Sequence, residues 1–209
     1  MPDMQQWTTR TACLPGAMSE VTGLGVENGT LRRDFDFVLG LNGSFFAQRA
    51  IQLLLARIER NGILEWESWW QVEFARYLLR HRHRHEWART HHPERDSARG
   101  NKKEKPMADF ILKPHNRTNA PSILLELKQS DSVEGCITNM VKDIHTMAQS
   151  HSASASLNHK HLWIVGAHPR ECKNTVRKTV ESVASDYGIR LFDVQTRYIL
   201  NTGYAFTIF

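Results

Sequence analysis

The sequence predicts an α/β fold in which a mixed sheet is flanked by helices. Two apolar runs of strand length, residues 107–112 and 122–128, are separated by a connector rich in Pro and Asn, which is typical of a β-hairpin. A helical apolar pattern over residues 133–148 and a buried strand over residues 161–167 follow. That order predicts a βαβ crossover in which the last strand runs parallel to the 122–128 strand.

The N-terminal part is predicted to contribute helices after an irregular start. Residues 1–42 contain several Gly and no sustained period, so they are interpreted as an arm or irregular extension, and residues 43–209 as one domain. Residues 45–58 predict an apolar helix. Residues 64–79 predict a second helix, whose inward stripe at helical spacing consists of Trp66, Trp69, Trp70, Glu73 and Tyr77.

The remaining elements are predicted from shorter patterns. Residues 80–105 are expected to be mostly loop, with a candidate first strand over residues 86–90. Towards the C-terminus, residues 170–187 predict a helix and residues 189–194 a strand, and the tail 204–209 could add an edge strand. Together these elements complete an α/β sandwich.

Three charged residues in the hairpin are the candidate functional residues. Asp109 lies in the first run, and Glu126 and Lys128 lie two apart in the second, so both project to the same face of the sheet. Ionised groups among Ile and Leu are costly to bury and need a partner or a task. Two carboxylates from adjacent strands can bind a hard cation such as Mg²⁺, and a Lys beside it can orient or deprotonate water. The set suits phosphodiester hydrolysis.

The segments Met-Ala-Asp109 and Leu-Glu126-Leu-Lys128 resemble the motif of the PD-(D/E)XK superfamily of nucleases, over about residues 63–168, although Pro106 lies three residues before Asp109. The resemblance implies a restriction-endonuclease-like αβββαβ core, catalysis by Asp109, Glu126 and Lys128, and Mg²⁺, with Mn²⁺ as a substitute, bound by the two carboxylates. It also implies a further acidic ligand on the first core helix. Glu73 matches that role, whereas Glu65 and Glu67 are interpreted as solvated charges or charges that favour the helix dipole.

Each of these residues also has an ordinary structural interpretation. Glu126 and Lys128 could form an exposed ion pair on an edge strand, which is common and weakly stabilising. Asp109 could be a turn residue, and Glu73 could pair with Arg76 or Arg80 on the helix surface. Gln129 could simply cap its strand.

Basic residues between the second helix and the hairpin are candidates for binding phosphate. The alternation of His and Arg over residues 80–85 is a poor zinc site, because the intervening cations repel a dication. A stripe that contacts nucleic acid is one interpretation of this region, and a solvated loop is the other. The candidate nucleic-acid-binding residues are Arg80, Arg82, Arg84, Lys102, Lys103 and Lys105.

Composition narrows the class of protein. The net charge of +5 and the pI near 9.3 favour an anionic partner. No apolar run approaches the roughly 20 residues of a membrane-spanning helix and no signal peptide is evident, so a cytoplasmic protein without a membrane partner is expected. The leading hypothesis is a Mg²⁺-dependent DNA endonuclease. The alternative is an inactive nucleic-acid-binding or protein-interaction module of the same fold. Many nucleases of this fold are dimers, but no pattern in the sequence decides for or against a homodimer.

Overall fold

A computed structural model describes residues 24–81, 85–89, 108–114, 122–151 and 160–209. Its helices are α1 (Leu24–Phe46), α2 (Arg49–Arg60), α3 (Glu67–Arg80), α4 (Val133–His151) and α5 (Lys173–Asp186). Its strands are β1 (His85–Arg89), β2 (Phe110–Pro114), β3 (Ser122–Gln129), β4 (Lys160–Pro169), β5 (Gln195–Tyr198) and β6 (Tyr204–Ile208). These strands form one mixed sheet in the order β1-β2-β3-β4-β6-β5. The predicted α/β fold with a mixed sheet flanked by helices is therefore confirmed.

The predicted hairpin is present at the centre of this sheet. Strands β2 and β3 are antiparallel, and Phe110 pairs with Leu125. Strand β1 pairs with β2 on the other side, so the candidate strand over residues 86–90 is also confirmed, with bounds shifted by one residue. Strand β3 consequently has a neighbour on each side, and its backbone groups are paired within the sheet.

The predicted βαβ crossover is also confirmed. Strand β4 runs parallel to β3, and Lys128 lies opposite Gly166 in the register. Helix α4 covers one face of the sheet. Its side chains at the expected spacing are fully buried there, among them Cys136, Ile137 and Met140. Gly166 lets the helix approach closely, because a Cβ there would meet Met140 and would lie 2.7 Å from Cys136 Sγ.

The opposite face of the sheet packs against α1, α2 and α3. The core on this side is aromatic and includes Phe35, Phe45, Trp70 and Phe74, which lie against Leu125 and Leu127 of β3 together with other apolar residues. Ring pairs such as Phe45 with Phe74 meet edge to face, with centroids 5.3 Å apart. Covered on both faces, β3 is a nearly continuous apolar run, and this explains why its charged residues stand out.

The predicted N-terminal arm is wrong for the part of it that the structure describes. Residues 24–46 form the single helix α1, so a domain boundary after residue 42 would cut through it. Phe35, Val38 and Leu39 are buried in the same core as the sheet. The helical spacing was obscured because Gly29, Gly40 and charged residues interrupt the apolar pattern. Residues 1–23 lie outside the described part of the chain.

The predictions for the C-terminal region need two corrections. Residues 189–194 are not a strand: Ile189 N donates to Ala184 O, which closes the end of α5, and Ile189 and Leu191 pack on the α4–α5 side. Their apolar alternation serves this packing. The tail forms β6, which lies between β4 and β5 rather than at the edge, so all of its residues are buried.

A buried chain of polar side chains connects β4, β6 and β5. His168 Nδ1 lies 2.8 Å from Pro169 O, which can only accept, so in the neutral ring Nδ1 carries the proton. His168 Nε2 then accepts from Thr207 Oγ1 at 2.8 Å, and Thr207 Oγ1 is 2.8 Å from Thr196 Oγ1. Burial lowers the pKa of His168, which keeps the ring neutral.

Among the described helices, none has the length and apolar character needed to cross a membrane.

Candidate functional site

Asp109 and Glu126 lie side by side in the interior, next to the carboxyl end of β3. Each is only 3% exposed. Because β3 is the third strand of the sheet and Glu126 is buried, the interpretation of an exposed ion pair on an edge strand is wrong. Residues 123, 125 and 127 pack into the aromatic core, so the alternation of the strand directs Glu126 and Lys128 to the α4 side.

The hairpin backbone holds the two carboxylates in place. Asp109 N donates to Glu126 Oε2 at 3.0 Å, and Leu127 N donates to Asp109 Oδ2 at 2.9 Å. Each carboxylate therefore accepts a hydrogen bond from the other arm of the hairpin, and Asp109 lies immediately before Phe110, the first residue of β2. Asp109 is consequently a member of the site rather than a simple turn residue.

Lys128 extends from β3 towards α4 and is held by two carboxylates. Its Nζ lies 2.7 Å from Glu126 Oε1 and 2.9 Å from Asp143 Oδ2. Burial disfavours the charged ammonium, but the neighbouring Glu126 and Asp143 outweigh burial and raise the pKa of Lys128 above its ordinary value. The ammonium therefore stays charged at neutral pH.

The site carries more negative than positive charge. Burial, reinforced by the adjacent Asp109 carboxylate, raises the pKa of Glu126 to about 7, although Lys128 acts in the opposite direction. Among the described residues, the carboxylates of Asp109 and Asp143 act electrostatically on Glu126, and the ammonium of Lys128 opposes them. This environment favours binding of an additional cation.

Glu67 lies at the start of α3, which packs on the face of the sheet opposite α4, and it reaches the site at the carboxyl end of β3. Its Oε2 accepts a hydrogen bond from Gln129 N at 2.8 Å, while Trp66 N donates to Gln129 Oε1 at 3.1 Å. Burial raises the pKa of Glu67, and Asp109 and Asp143 also raise it, against the opposing effects of Gln129 N and Lys128. Gln129 thus ties α3 to the end of β3.

The expectation that Glu73 joins these residues is not met. Its Oε1 accepts a hydrogen bond from Arg76 Nη1 at 2.6 Å, which is the helix-surface pair considered as its alternative. The predicted inward stripe was rotated: the residues of this helix that are buried are Trp66, Trp70, Phe74, Tyr77 and Leu78. The stripe was predicted from the helical spacing of positions 66, 69, 70, 73 and 77, but Trp69 is only partly buried. This rotation moves Glu67, rather than Glu73, to the site.

Gln71 and Arg89 extend the site outward and were not expected from the sequence. Gln71 Nε2 donates to Asp109 Oδ1 at 2.9 Å, and Arg89 Nη2 reaches Gln71 Oε1 at 3.4 Å. Gln71 lies one helical turn after Glu67, so the corrected face of α3 presents both residues to the strand ends. Arg89 is exposed on β1 and brings a positive charge to the mouth of the site.

Only one residue of the predicted basic stripe, Arg80, lies within the described part of the chain. Arg80 is exposed in the last turn of α3. Arg82, Arg84, Lys102, Lys103 and Lys105 lie outside the described residues. Their contribution to nucleic-acid binding stays a prediction.

The described residues contain no group of three or more His, Cys, Asp or Glu side chains arranged to hold a metal ion. The acids that the sequence predicted as ligands are Asp109, Glu126 and Glu73. The oxygens of Asp109 and Glu126 accept the hydrogen bonds given above, and Glu73 pairs with Arg76. Comparison of the chain with protein-family models, with curated proteins and with solved structures finds no match in any of the three.

Proposed function

We propose that this protein is a Mg²⁺-dependent nuclease that acts on DNA as an endonuclease. The observation that carries the proposal is the burial of Asp109 and Glu126 side by side, with Lys128 bonded to one of them, on a strand that is otherwise apolar. Buried ion pairs are often replaceable by apolar residues without loss of stability, so stability alone does not account for these charged residues. Their presence therefore points to a functional role. Phosphodiester hydrolysis is the task that these residue types fit.

The donor set fits Mg²⁺. Both candidate ligands offer hard oxygen atoms, and Mg²⁺ usually takes only one or two protein carboxylates and keeps several waters. The raised pKa of Glu126, caused by burial and by Asp109, means that a bound cation would relieve repulsion between two like charges. Asp109 and Glu126 would hold the ion, with Mn²⁺ as a substitute. When bound, the ion would supply charge stabilisation at the phosphate and acidify water.

The roles of the other residues follow from their partners. Lys128, whose Nζ lies 2.7 Å from the candidate ligand Glu126, is suited to orienting or activating water or to offsetting charge on the phosphate. Gln71 orients Asp109 through the 2.9 Å hydrogen bond. Glu67 takes over the role of auxiliary acid that was first assigned to Glu73. Arg89 and the net charge of +5 favour a polyanionic substrate.

The decisive experiment compares wild type with Lys128→Ala and Asp109→Ala on supercoiled, linear and single-stranded DNA and on RNA. Each substrate is incubated with Mg²⁺, with Mn²⁺ and with chelator. We expect cleavage by wild type with either metal, none with chelator, and loss of at least about 100-fold in rate in both variants. Unchanged activity in Lys128→Ala contradicts the assigned role. Binding without cleavage under every condition supports the alternative, an inactive nucleic-acid-binding module.

A further inference from the structure

Lys128 is held from two separate elements, and this matters if one of its partners binds a cation. Glu126 is two residues away on the same strand, whereas Asp143 reaches Lys128 from α4. Lys128 and Asp143 have 21% and 34% of their side chains exposed, so their contact is more exposed than Glu126, which has 4% of its side chain exposed. A lysine side chain has a long flexible stem, and fixing it in one position costs rotamer entropy.

The two contacts respond differently to a cation in the site. A Glu126 carboxylate that binds Mg²⁺ would attract the Lys128 ammonium less strongly. The 2.7 Å contact would therefore weaken when the proposed metal binds. Asp143 lies on the other element and keeps its contact. Without Asp143, the ammonium would be repelled by the cation while losing its carboxylate partner.

The position of Asp143 is itself fixed by packing. The side chains of Cys136, Met140 and Val141 on α4 are fully buried against the sheet. Met140 and Cys136 also lie directly over Gly166, the residue paired with Lys128 in the register. The packing of α4 on the sheet is therefore close at β4, at the position beside Lys128.

We propose that Asp143 is a positioning residue that holds the Lys128 ammonium in the site independently of Glu126. Its use in catalysis rests on the proposed nuclease function, but the anchoring itself does not. Asp143 acts through Lys128 and is not assigned a contact with substrate or metal.

Anchoring can be measured without metal or substrate by NMR of the Lys128 ¹⁵Nζ group, identified by its absence in Lys128→Arg. Ammonium protons held in ion pairs exchange with water slowly enough to be observed in the cold, whereas free ones are not. We expect the signal in wild type, in Glu126→Gln and in Asp143→Asn, and its loss in the double variant. Backbone spectra check that each nearly isosteric variant keeps the fold. Loss of the signal in Glu126→Gln alone, or its persistence in the double variant, overturns the proposal.

A second arm tests the catalytic consequence with Mg²⁺. Wild type should keep the Lys128 signal when Mg²⁺ is added, and Asp143→Asn should lose it. Cleavage by Asp143→Asn should fall by about 100-fold in kcat with little change in KM, with partial recovery in Asp143→Glu. The two failures are distinguishable. A wild type that cleaves nothing, with the metal-free pattern intact, overturns the nuclease function alone. A wild type that cleaves, with no signal in Glu126→Gln, overturns the anchoring alone.

Discussion

The side chain of Glu126 is buried on an inner strand, so its charge and position depend on the groups around it. These groups come from three parts of the chain. The backbone of Asp109, the ammonium of Lys128 and, through that ammonium, Asp143 of α4 all constrain it. The grouping of Asp109, Glu126 and Lys128 could be predicted from the sequence, because strand alternation and the hairpin determine it. Glu67, Gln71 and Asp143 could not be predicted in the same way, since their position depends on how two helices are rotated against the sheet.

Glu67 and Glu73 form a matched pair for testing this rotation. Glu67→Gln removes a partly buried charge beside the site, so we expect cleavage to fall by about 10- to 100-fold, as for other residues that support metal ligands. Glu73→Gln breaks only the surface contact with Arg76 and should leave the rate near that of wild type. Steady-state cleavage over a range of Mg²⁺ concentrations measures both. The reverse order of effects would restore the first assignment of Glu73.

At the scale of elements, long periodic patterns were predicted best. Helix α4 was evident from its helical periodicity, and the β2–β3 hairpin and the parallel β4 were evident from apolar runs of strand length bounded by turn residues. Helix α1 was missed because Gly and charged residues dilute its apolar stripe, and the apparent strand at 189–194 was mistaken because short alternations also occur in segments that cover a helix. Tertiary packing decided both cases.

Gly166 controls the contact between α4 and the sheet. In Gly166→Ala the new methyl would collide with Met140 and Cys136, so the helix or the strand must shift, at a cost of about 1–3 kcal/mol in the free energy of unfolding. Gly40→Ala is the control: it lies in α1 with nothing within 4 Å of the added atom, and should be neutral or stabilising. Urea denaturation measures both variants. Equal stability of the two would show that the α4 contact is looser than described.

The buried His168–Thr207–Thr196 chain predicts a dependence of stability on pH. The pKa of His168 is lowered below its ordinary value of 6.5 by burial, so the unfolded chain takes up a proton before the folded chain does. The contribution of the neutral ring is complete above about pH 6.5 and is lost as pH falls below it. Urea midpoints at about pH 7.5 and about pH 5 should therefore differ less in His168→Gln than in wild type. An identical difference in the two proteins would contradict this.

At the scale of the whole molecule, α1 is part of the same folding unit as the sheet. Phe35 is fully buried and meets Trp163 of β4 edge to face at 5.3 Å. Its neighbour Asp34 is also buried, with Oδ2 2.6 Å from His161 Nδ1. A segment first interpreted as an arm therefore contributes to the core of the domain.

Phe35→Ala tests this assignment. We expect a loss of about 3–5 kcal/mol in the free energy of unfolding, because a large buried side chain is removed from a packed core. Asp36→Ala, at the next, exposed position of the same helix, should have little effect. Chemical denaturation followed by tryptophan fluorescence measures both. A small effect of Phe35→Ala would indicate that α1 is dispensable.

The sequence separations of the contacts in the candidate site predict the order in which these contacts form during folding. The contacts between Asp109 and the β3 residues span 17 and 18 positions and can form as soon as the hairpin does. Gln71 reaches Asp109 across 38 positions, and Trp66 reaches Gln129 across 63, so these contacts require α3 to dock on the finished hairpin. Contacts between residues distant in sequence form slowly, because the chain loses the entropy of loop closure before the contact contributes any stabilisation. We therefore expect Asp109 and Glu126 to come together early in folding, and the contacts of Gln71 and Trp66 to form only when α3 docks on the hairpin.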